Sequence, residues 1–275
     1  MCGIAGVYSE SRSALALEAA IGAMVHRGPD GSDLWRSGDG YVGLAHTRLA
    51  IQGLGEAGAQ PMISYSGNSA ITYNGEIYNA AEVAAFYRLN LSVADLRSDT
   101  RFLLELIEEQ GLTALRHVNG IFAFGFYDLL EKELLLVRDR KGVKPLLCAS
   151  CDTGFLFASE LKALQAMGVS CRPIDARSCA QYMSYVWSPG DFLPGGGVRK
   201  LKPGEVLRLR AGAGTRPESS FLPKFEALAG GLSVGGADIS RTKKKSLSHH
   251  VEDFRNELAE AVNRQLISDV EVGAF

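Results

Sequence analysis

The spacing of apolar and polar residues predicts a chain that mixes short strands with amphipathic helices. Alternating or continuous apolar runs predict strands at residues 3–8, 41–47, 70–73, 121–129, 133–138, 155–158 and within 197–210. Stretches with helical periodicity lie at residues 14–25, 82–89, 99–110, 160–167, 176–185 and 248–266. Because these strands and helices do not alternate in a βαβ rhythm, we predict an α+β fold.

Local signals define the ends of two of these elements. Ser98 is a suitable N-cap for the helix predicted at residues 99–110, because its hydroxyl can accept a hydrogen bond from a free N–H of the first turn. The runs at 121–129 and 133–138 predict a β-hairpin whose turn lies near residues 130–132.

The character of the sequence changes after a first domain that we predict over residues 1–210. Residues 211–246 hold many Gly and Ser residues and predict a linker. The amphipathic helix at 248–266 and a strand-like run follow, and the sequence ends at Phe275. Since a domain seldom ends on an apolar strand without a turn behind it, we expect residues 247–275 to begin a further, truncated domain. The alternative is a C-terminal helix that packs against the first domain.

Composition excludes several classes of protein. Of the 275 residues, 46% are hydrophobic and 22% are charged, and the net charge is −2, which is typical of a soluble globular protein and gives no reason to expect nucleic acid or an anionic membrane as partner. No apolar run approaches the roughly 18 residues of a membrane span, so we expect a cytoplasmic protein. Five cysteines do not describe a secreted disulfide framework. Cys148 and Cys151 have C-x-x-C spacing, but we interpret them as structural thiols.

The second residue carries the first chemical signal. If Met1 is removed, Cys2 becomes the N-terminus and holds a thiol and a free α-amine on one residue. An adjacent base is a standard way to activate a nucleophile, and an α-amine with a pKa of about 7.7–8.0 suits that task near neutrality. The alternatives are a small hydrophobe at a strand end or a lipid attachment point, although no charged segment and apolar run precede it.

Polar residues cluster at five further places, in turns or at strand ends. They are residues 26–31 (HRGPDG), 46–51 (HTRLAI), 74–79 (NGEIYN), 98–100 (SDT) and 138–146 (RDRKGVKPL). Each cluster alone has a structural explanation: Asn-Gly is a frequent hairpin turn, His26 is an ordinary loop histidine, and Arg48 is a surface charge.

Together with Cys2, these clusters resemble the class II glutamine amidotransferases, the N-terminal nucleophile hydrolases that take ammonia from glutamine. H-R-G-P-D, N-G-E-I-Y-N and R-D-x-x-G-x-K-P-L favour the glutaminase domain of glutamine-hydrolysing asparagine synthetases over the sugar-phosphate and phosphoribosyl branches. The resemblance runs from Cys2 to about Arg210. It implies a four-layer αββα sandwich of two antiparallel sheets, with Cys2 at the end of the first strand.

The resemblance also implies roles for individual residues. Catalytic roles fall to Cys2 as nucleophile, and to the Asn74 side chain and the Gly75 backbone N–H as the oxyanion hole. Substrate binding falls to Arg48, Leu49, Ile51, Asn74, Gly75, Glu76 and Asp99. The chemistry of the side chains fits, because the Arg48 guanidinium suits a carboxylate and the Asp99 carboxylate suits an ammonium.

Residues 261–275 resemble the run that precedes the S-G-G-x-D-S pyrophosphate loop of asparagine synthetases, and that loop is absent from this sequence. We therefore expect ATP and Mg²⁺ only in a missing ATP-dependent synthetase domain or subunit, and no cofactor or metal in this chain. The expected partners are glutamine and that synthetase, with a homodimer left open and no nucleic acid or membrane.

Two alternatives to this function stay open. The chain could be a glutamine-binding or interaction module that keeps the fold without turnover, which a retained Met1 would favour because a blocked amine cannot act as base. The ammonia acceptor could be aspartate or another carboxylate, such as a sugar acid.

Overall fold

A computed structural model of the chain describes residues 1–275 with the exception of 10–16, 54, 153, 172, 192, 195, 213, 229–245, 272, 274 and 275. The start predicted for the first helix, at residue 14, lies outside the described residues. So does part of the strand-like run predicted at 270–275. Of that run, Val270, Glu271 and Gly273 lie in irregular structure.

Strands make up the centre of the molecule. The described residues form β1 (Gly3–Tyr8), β2 (Gly31–Arg36), β3 (Val42–Arg48), β4 (Met62–Ile63), β5 (Ser69–Ile77), β6 (Gly120–Asp128), β7 (Glu133–Arg138), β8 (Leu147–Cys151), β9 (Gly154–Ala158), β10 (Arg199–Lys200), β11 (Glu205–Arg210) and β12 (Glu218–Phe221). They form two six-stranded antiparallel sheets. The strand order is β10-β8-β9-β1-β3-β2 in the first sheet and β12-β11-β7-β6-β5-β4 in the second.

The described residues also form six helices. They are α1 (Leu17–Met24), α2 (Ala80–Tyr87), α3 (Asp99–Gln110), α4 (Leu161–Ala166), α5 (Ala176–Tyr185) and α6 (Leu247–Arg264), with short 3₁₀ turns at Gly55–Gly58, Asp95–Arg97 and Leu112–His117. The apolar residues of α1 and α4 pack on the first sheet, and those of α2 and α3 pack on the second. Within the described residues, no helix combines the length and the apolar character that crossing a membrane would need.

The inward faces of the two sheets pack on each other and form a third apolar layer. Ile4 of β1, Leu136 of β7 and Phe157 of β9 are fully buried in it. The order helix, sheet, sheet, helix is the four-layer αββα sandwich that the resemblance implied, and that prediction is confirmed.

Most predicted elements are present, and some bounds differ. Helix α3 begins at Asp99 and ends at Gln110 as predicted, and the Ser98 hydroxyl accepts a hydrogen bond from the Arg101 N–H at 3.3 Å. Strand β5 extends to Ile77, beyond the predicted run, so the Asn-Gly pair at 74–75 lies inside a strand rather than in a hairpin turn.

Five strands were missing from the prediction: β2, β4, β8, β10 and β12. Their sequences are short or polar, and pairing with a neighbouring strand supplies the order that propensity does not. Strand β12 has the sequence ESSF and lies within the stretch predicted as a linker, where it pairs with β11. The second sheet therefore continues past residue 210, while the predicted domain boundaries stay predictions.

A glycine in β1 leaves room for the ring of Phe157, which lies opposite it on the neighbouring strand β9 of the same sheet. A Cβ on Gly6 would lie 2.4 Å from the Phe157 ring and 2.7 Å from the Gly43 carbonyl oxygen. We expect Gly6→Ala to lower the free energy of unfolding by about 1–3 kcal/mol through overpacking. The measurement is urea unfolding followed by circular dichroism.

A second glycine provides the matched control. Gly22 lies in α1, where an added Cβ would meet nothing within 4 Å. We expect Gly22→Ala to raise the free energy of unfolding by about 0.5–1 kcal/mol, because alanine loses less backbone entropy in a helix. Equal effects of the two substitutions would contradict the packing argument.

Candidate active site

Cys2 lies directly before β1, half-buried beside the loop that follows β3. The Leu49 N–H points at its sulfur, with N and Sγ 3.4 Å apart, and the Leu49 carbonyl oxygen lies 3.7 Å from Sγ. A pocket opens at this point. It is lined by Met1, Cys2, Arg48, Leu49, Ile51, Gln52, Gly58, Gln60, Tyr73, Asn74, Gly75, Glu76, Ser98, Asp99, Thr100 and Lys144.

All eight residues predicted for the site line this one pocket, although they come from four separate parts of the chain. The structure thus brings them together, and the role of each stays a prediction. Sequence reasoning missed three other residues of the lining that the geometry makes important: Gln60, Tyr73 and Lys144. Lys144 had a signal, since it belongs to the R-D-x-x-G-x-K-P-L motif. Gln60 and Tyr73 had none that local sequence could supply.

The turn at residues 26–31 fixes the start of the chain to the end of β3. The Arg27 side chain donates from Nε to the Cys2 carbonyl at 2.9 Å and from Nη1 to Glu160 at 2.8 Å. A Cβ on Gly28 would lie 2.3 Å from the Arg48 backbone nitrogen, so only glycine allows this approach. Asp30 continues the contact, because its Oδ2 accepts from the Ala50 N–H at 2.8 Å.

The outer edge of β5 forms one wall of the pocket. Strand β4 pairs only with Ala70 and Ile71 of β5, so the rest of this edge has no strand beside it. Side chains take the place of the missing strand. The Tyr73 N–H donates to Gln60 Oε1 at 2.6 Å, and the Ile77 N–H donates to Asp99 Oδ2 at 2.8 Å.

Between these two capped amides lies the N–H of Gly75. Backbone N–H groups alternate in direction along a strand, so those of residues 73, 75 and 77 point to the same side. On the other side, Gly75 faces Phe122 of β6, but the Phe122 carbonyl accepts from the Asp139 N–H at 2.7 Å instead. The Gly75 N–H is therefore directed at the pocket rather than into the sheet.

Asn74 supplies a second unpaired donor. The residue is 2% exposed, and its side-chain nitrogen Nδ2 has no hydrogen-bond partner among the described residues. A buried polar group without a partner is costly and is uncommon away from functional sites. Two adjacent donors that await an acceptor are the arrangement that stabilises a developing oxyanion.

Charged groups of both signs line the same pocket. Lys144 is buried, and its Nζ lies 3.8 Å from Glu76 Oε1. Arg48 donates from Nη1 to the Gly55 carbonyl at 2.5 Å, and from Nη2 to the carbonyls of Gly53 and Gln52. A guanidinium has five N–H donors, so at least two remain beyond these three bonds. The loop thus holds the Arg48 guanidinium that we predicted to bind a carboxylate. A ligand must use its remaining N–H donors or displace the loop carbonyls.

The carboxyl of Asp99 is the most perturbed acid of the pocket. Its pKa is raised from 3.8 to about 7, mainly by burial and to a lesser degree by the neighbouring Glu76 carboxylate, against the opposing effect of the hydrogen bond from the Ile77 N–H. A bound cation would favour the ionised form. We therefore expect the Asp99 carboxyl to become fully ionised when an ammonium group binds beside it.

The fifth polar cluster carries Lys144 into the pocket through a loop organised by Asp139. This aspartate is 1% exposed. Its Oδ1 accepts from the N–H groups of Lys141 and Val143, and its Oδ2 accepts from those of Lys144 and Phe122. Four backbone donors on one carboxylate fix the loop conformation, so that the motif serves Lys144 rather than reacting itself.

The terminal amine lies in surroundings that favour its neutral form. Burial lowers the pKa of the Met1 amine, and the positive charges of Arg27 and Lys144 lower it further, against the opposing effects of Cys2 and Asp30.

His46 is the histidine closest in sequence to the site residues, and it does not titrate near neutral pH. It is 1% exposed, and burial lowers its pKa to about 3.

Comparison with known proteins identifies the family. The family model described as "Glutamine amidotransferase domain" matches residues 1–221, most of the chain. The chain belongs to the glutamine amidotransferase family. The resemblance drawn from the sequence motifs is thereby confirmed.

The related proteins are longer than this amidotransferase chain. "Asparagine synthetase [glutamine-hydrolyzing] 3" of Bacillus subtilis is 30% identical over 293 residues, which cover 100% of this chain and 43% of the relative. "Asparagine synthetase B [glutamine-hydrolyzing]" of Escherichia coli is 36% identical over 196 residues, or 68% of this chain and 33% of that protein. The chain therefore spans less than half the length of these relatives.

Solved structures agree with the fold. The glutamine phosphoribosylpyrophosphate amidotransferase of B. subtilis superposes with a TM-score of 0.59 at 19% identity, over 81% of this chain and 49% of that one. At this level of identity the similarity concerns the fold alone, and it supports the four-layer αββα sandwich.

Asp139 offers a test of how the Lys144 loop is held. We expect Asp139→Asn to lower the free energy of unfolding by about 2–4 kcal/mol, because an amide places N–H donors against backbone N–H groups and leaves some of them buried without an acceptor. Asp128 is the control: its Oδ1 accepts from the N–H groups of Leu130 and Glu131 in an exposed turn. Asp128→Asn should cost under ~1 kcal/mol. Urea unfolding compares them, and a smaller loss at position 139 would contradict the assignment.

Proposed function

We propose that this chain hydrolyses glutamine to glutamate and ammonia, with Cys2 as the nucleophile after removal of Met1. One observation carries the proposal. Cys2, Asn74 and Gly75 line the same pocket. The Asn74 side-chain nitrogen has no hydrogen-bond partner among the described residues, and the strand geometry directs the Gly75 N–H at the pocket. A nucleophile beside preorganised oxyanion donors is the requirement for acyl transfer.

The reaction then divides into two steps. The Cys2 amine takes the thiol proton, and the sulfur attacks the side-chain amide carbon of glutamine. The resulting oxyanion accepts hydrogen bonds from Asn74 and Gly75, and the amine returns the proton to the departing ammonia. Water then attacks the thioester carbon, which releases glutamate and restores the thiol. In other enzymes the loss of one oxyanion donor costs about 10²–10³ in rate.

The charges of the pocket suit an α-amino acid. A free amino acid presents a carboxylate and an ammonium on one carbon, and the pocket offers Arg48 for the first and Asp99 with Glu76 for the second. We assign the walls beside the nucleophile to Leu49 and Ile51. A substrate that lacks the carboxylate or the ammonium should bind more weakly, because Arg48 or Asp99 would then have no charged partner on the ligand.

We further propose that the ammonia serves an ATP-dependent synthetase domain or subunit. The support is that asparagine synthetases are similar to this chain, which covers only 43% and 33% of the two relatives described above. ATP and Mg²⁺ would bind that partner and not this chain. The protein would then be cytoplasmic, with aspartate as the ammonia acceptor.

The nucleophile has a direct test. We expect Cys2→Ala to reduce glutamate release at least ~10³-fold, because Cys2 is the only cysteine among the described residues that line the pocket. Both residues are small enough for Met1 to be removed, so mass spectrometry of the N-terminus should give the same processing. The matched control is Cys179→Ala at an exposed cysteine, which should keep full activity. Unchanged glutamate release by Cys2→Ala would refute the mechanism, and an inactive wild type that still binds glutamine would favour the silent binding module.

The charge state of Asp99 predicts how glutamine binding depends on pH. Only the ionised carboxylate pairs with the ammonium, and its pKa in the empty pocket is about 7. Affinity should therefore be complete above pH 8 and fall as the pH falls through 7, so that the Kd rises about tenfold from pH 8 to pH 6. Calorimetric titration of the Cys2→Ala protein avoids turnover.

Asp99→Asn is the companion variant for that titration. It removes the titrating charge, so we expect weaker binding of glutamine, by about tenfold or more at pH 8, and a Kd that no longer changes between pH 6 and pH 8. A pH dependence that persists in Asp99→Asn would assign the effect to a different group.

A further inference from the structure

The segment after helix α6 lies against the wall of the pocket. We call residues 49–53 the pocket loop. The backbone N–H of Asp269 donates to the Ile51 carbonyl at 2.9 Å. In the opposite direction, the Gly53 N–H donates to Oδ2 of the Asp269 side chain at 2.8 Å. One aspartate thus binds the pocket loop through both its backbone and its carboxylate.

A third contact ties the same segments together. The Gln52 side chain donates from Nε2 to the Ile267 carbonyl at 2.9 Å. Gln52 also lines the pocket. Three consecutive residues of the pocket loop are therefore bonded to a segment more than 200 positions away in sequence.

Two of the three bonded residues also hold Arg48. The carbonyls of Gln52 and Gly53 accept hydrogen bonds from Arg48 Nη2, at 3.4 Å and 2.5 Å. Gly53 has a φ of +61°, a left-handed conformation that glycine adopts without strain and that sets the direction of both its N–H and its carbonyl. A shift of this peptide therefore moves the guanidinium and the wall formed by Ile51 together.

We infer that Asp269 is a positioning residue for the glutamine pocket, which acts by fixing the pocket loop and, through it, the guanidinium of Arg48. The inference rests on the proposed function for its substrate. Asp269 lies beyond residue 221, where the match to the amidotransferase family ends. Glutamine binding would thus depend on a residue outside that domain, and a partner that displaces the Asp269 segment would weaken it.

Steady-state kinetics of the whole chain test the inference. We expect Asp269→Ala to raise the KM for glutamine about fivefold, the effect of losing one hydrogen bond to the loop, with kcat within about twofold of the wild type. Asp269→Asn keeps an oxygen that can accept from Gly53, so its KM should stay within about twofold. Glu271→Ala removes an acidic residue of the same segment that has no hydrogen bond or ion pair to the described residues of the pocket loop, and it should leave both constants unchanged.

Hydrogen–deuterium exchange gives a readout that does not need turnover. Peptides that contain the pocket loop should exchange faster in Asp269→Ala than in the wild type, Asp269→Asn or Glu271→Ala. Unchanged exchange, an unchanged KM, or an equal loss in the Asn variant would overturn the inference. Absence of glutamate release by the wild type would instead refute the proposed function, and exchange would still decide the role of Asp269.

Discussion

The open edge of strand β5 is the constraint on which the site depends. A strand edge presents unpaired N–H groups, and proteins normally cover them. Here β4 ends early, and the side chains of Gln60 and Asp99 cover the N–H groups of Tyr73 and Ile77. The Gly75 N–H between them stays available. The proposed oxyanion donor is thus the N–H at the one position between the two that is left uncovered.

The motifs around this edge serve mainly to bring distant segments together. Arg27 and Gly28 join the chain start to the end of β3, and Asp139 shapes the loop that carries Lys144. Most of these polar side chains donate to or accept from backbone groups. Their role is therefore structural, and the proposed mechanism assigns reactivity to the Cys2 thiol and to the donors of Asn74 and Gly75 in the same pocket.

Two charged groups of the pocket, Asp99 and Arg48, can each still interact with a ligand. Asp99 is held near its titration point by burial, and Arg48 gives part of its hydrogen bonding to its own loop. A zwitterionic ligand would pair with both groups at once, its ammonium with Asp99 and its carboxylate with Arg48. The hydrogen bonds between Asp269 and the pocket loop extend this arrangement to a segment beyond the matched amidotransferase domain.

The sequence by itself determined the local and chemical features: the Ser98 cap, the helix at 99–110, the hairpin, and a Cys2-centred motif set that gave the family and eight residues of the pocket. Those features depend on neighbours in sequence or on fixed motif spacing. Only the tertiary structure decided that Asn74 and Gly75 lie inside a strand, that Gln60 covers its edge, and that Asp269 reaches the pocket loop. Such contacts depend on register and on chain segments far apart, and no local pattern encodes them.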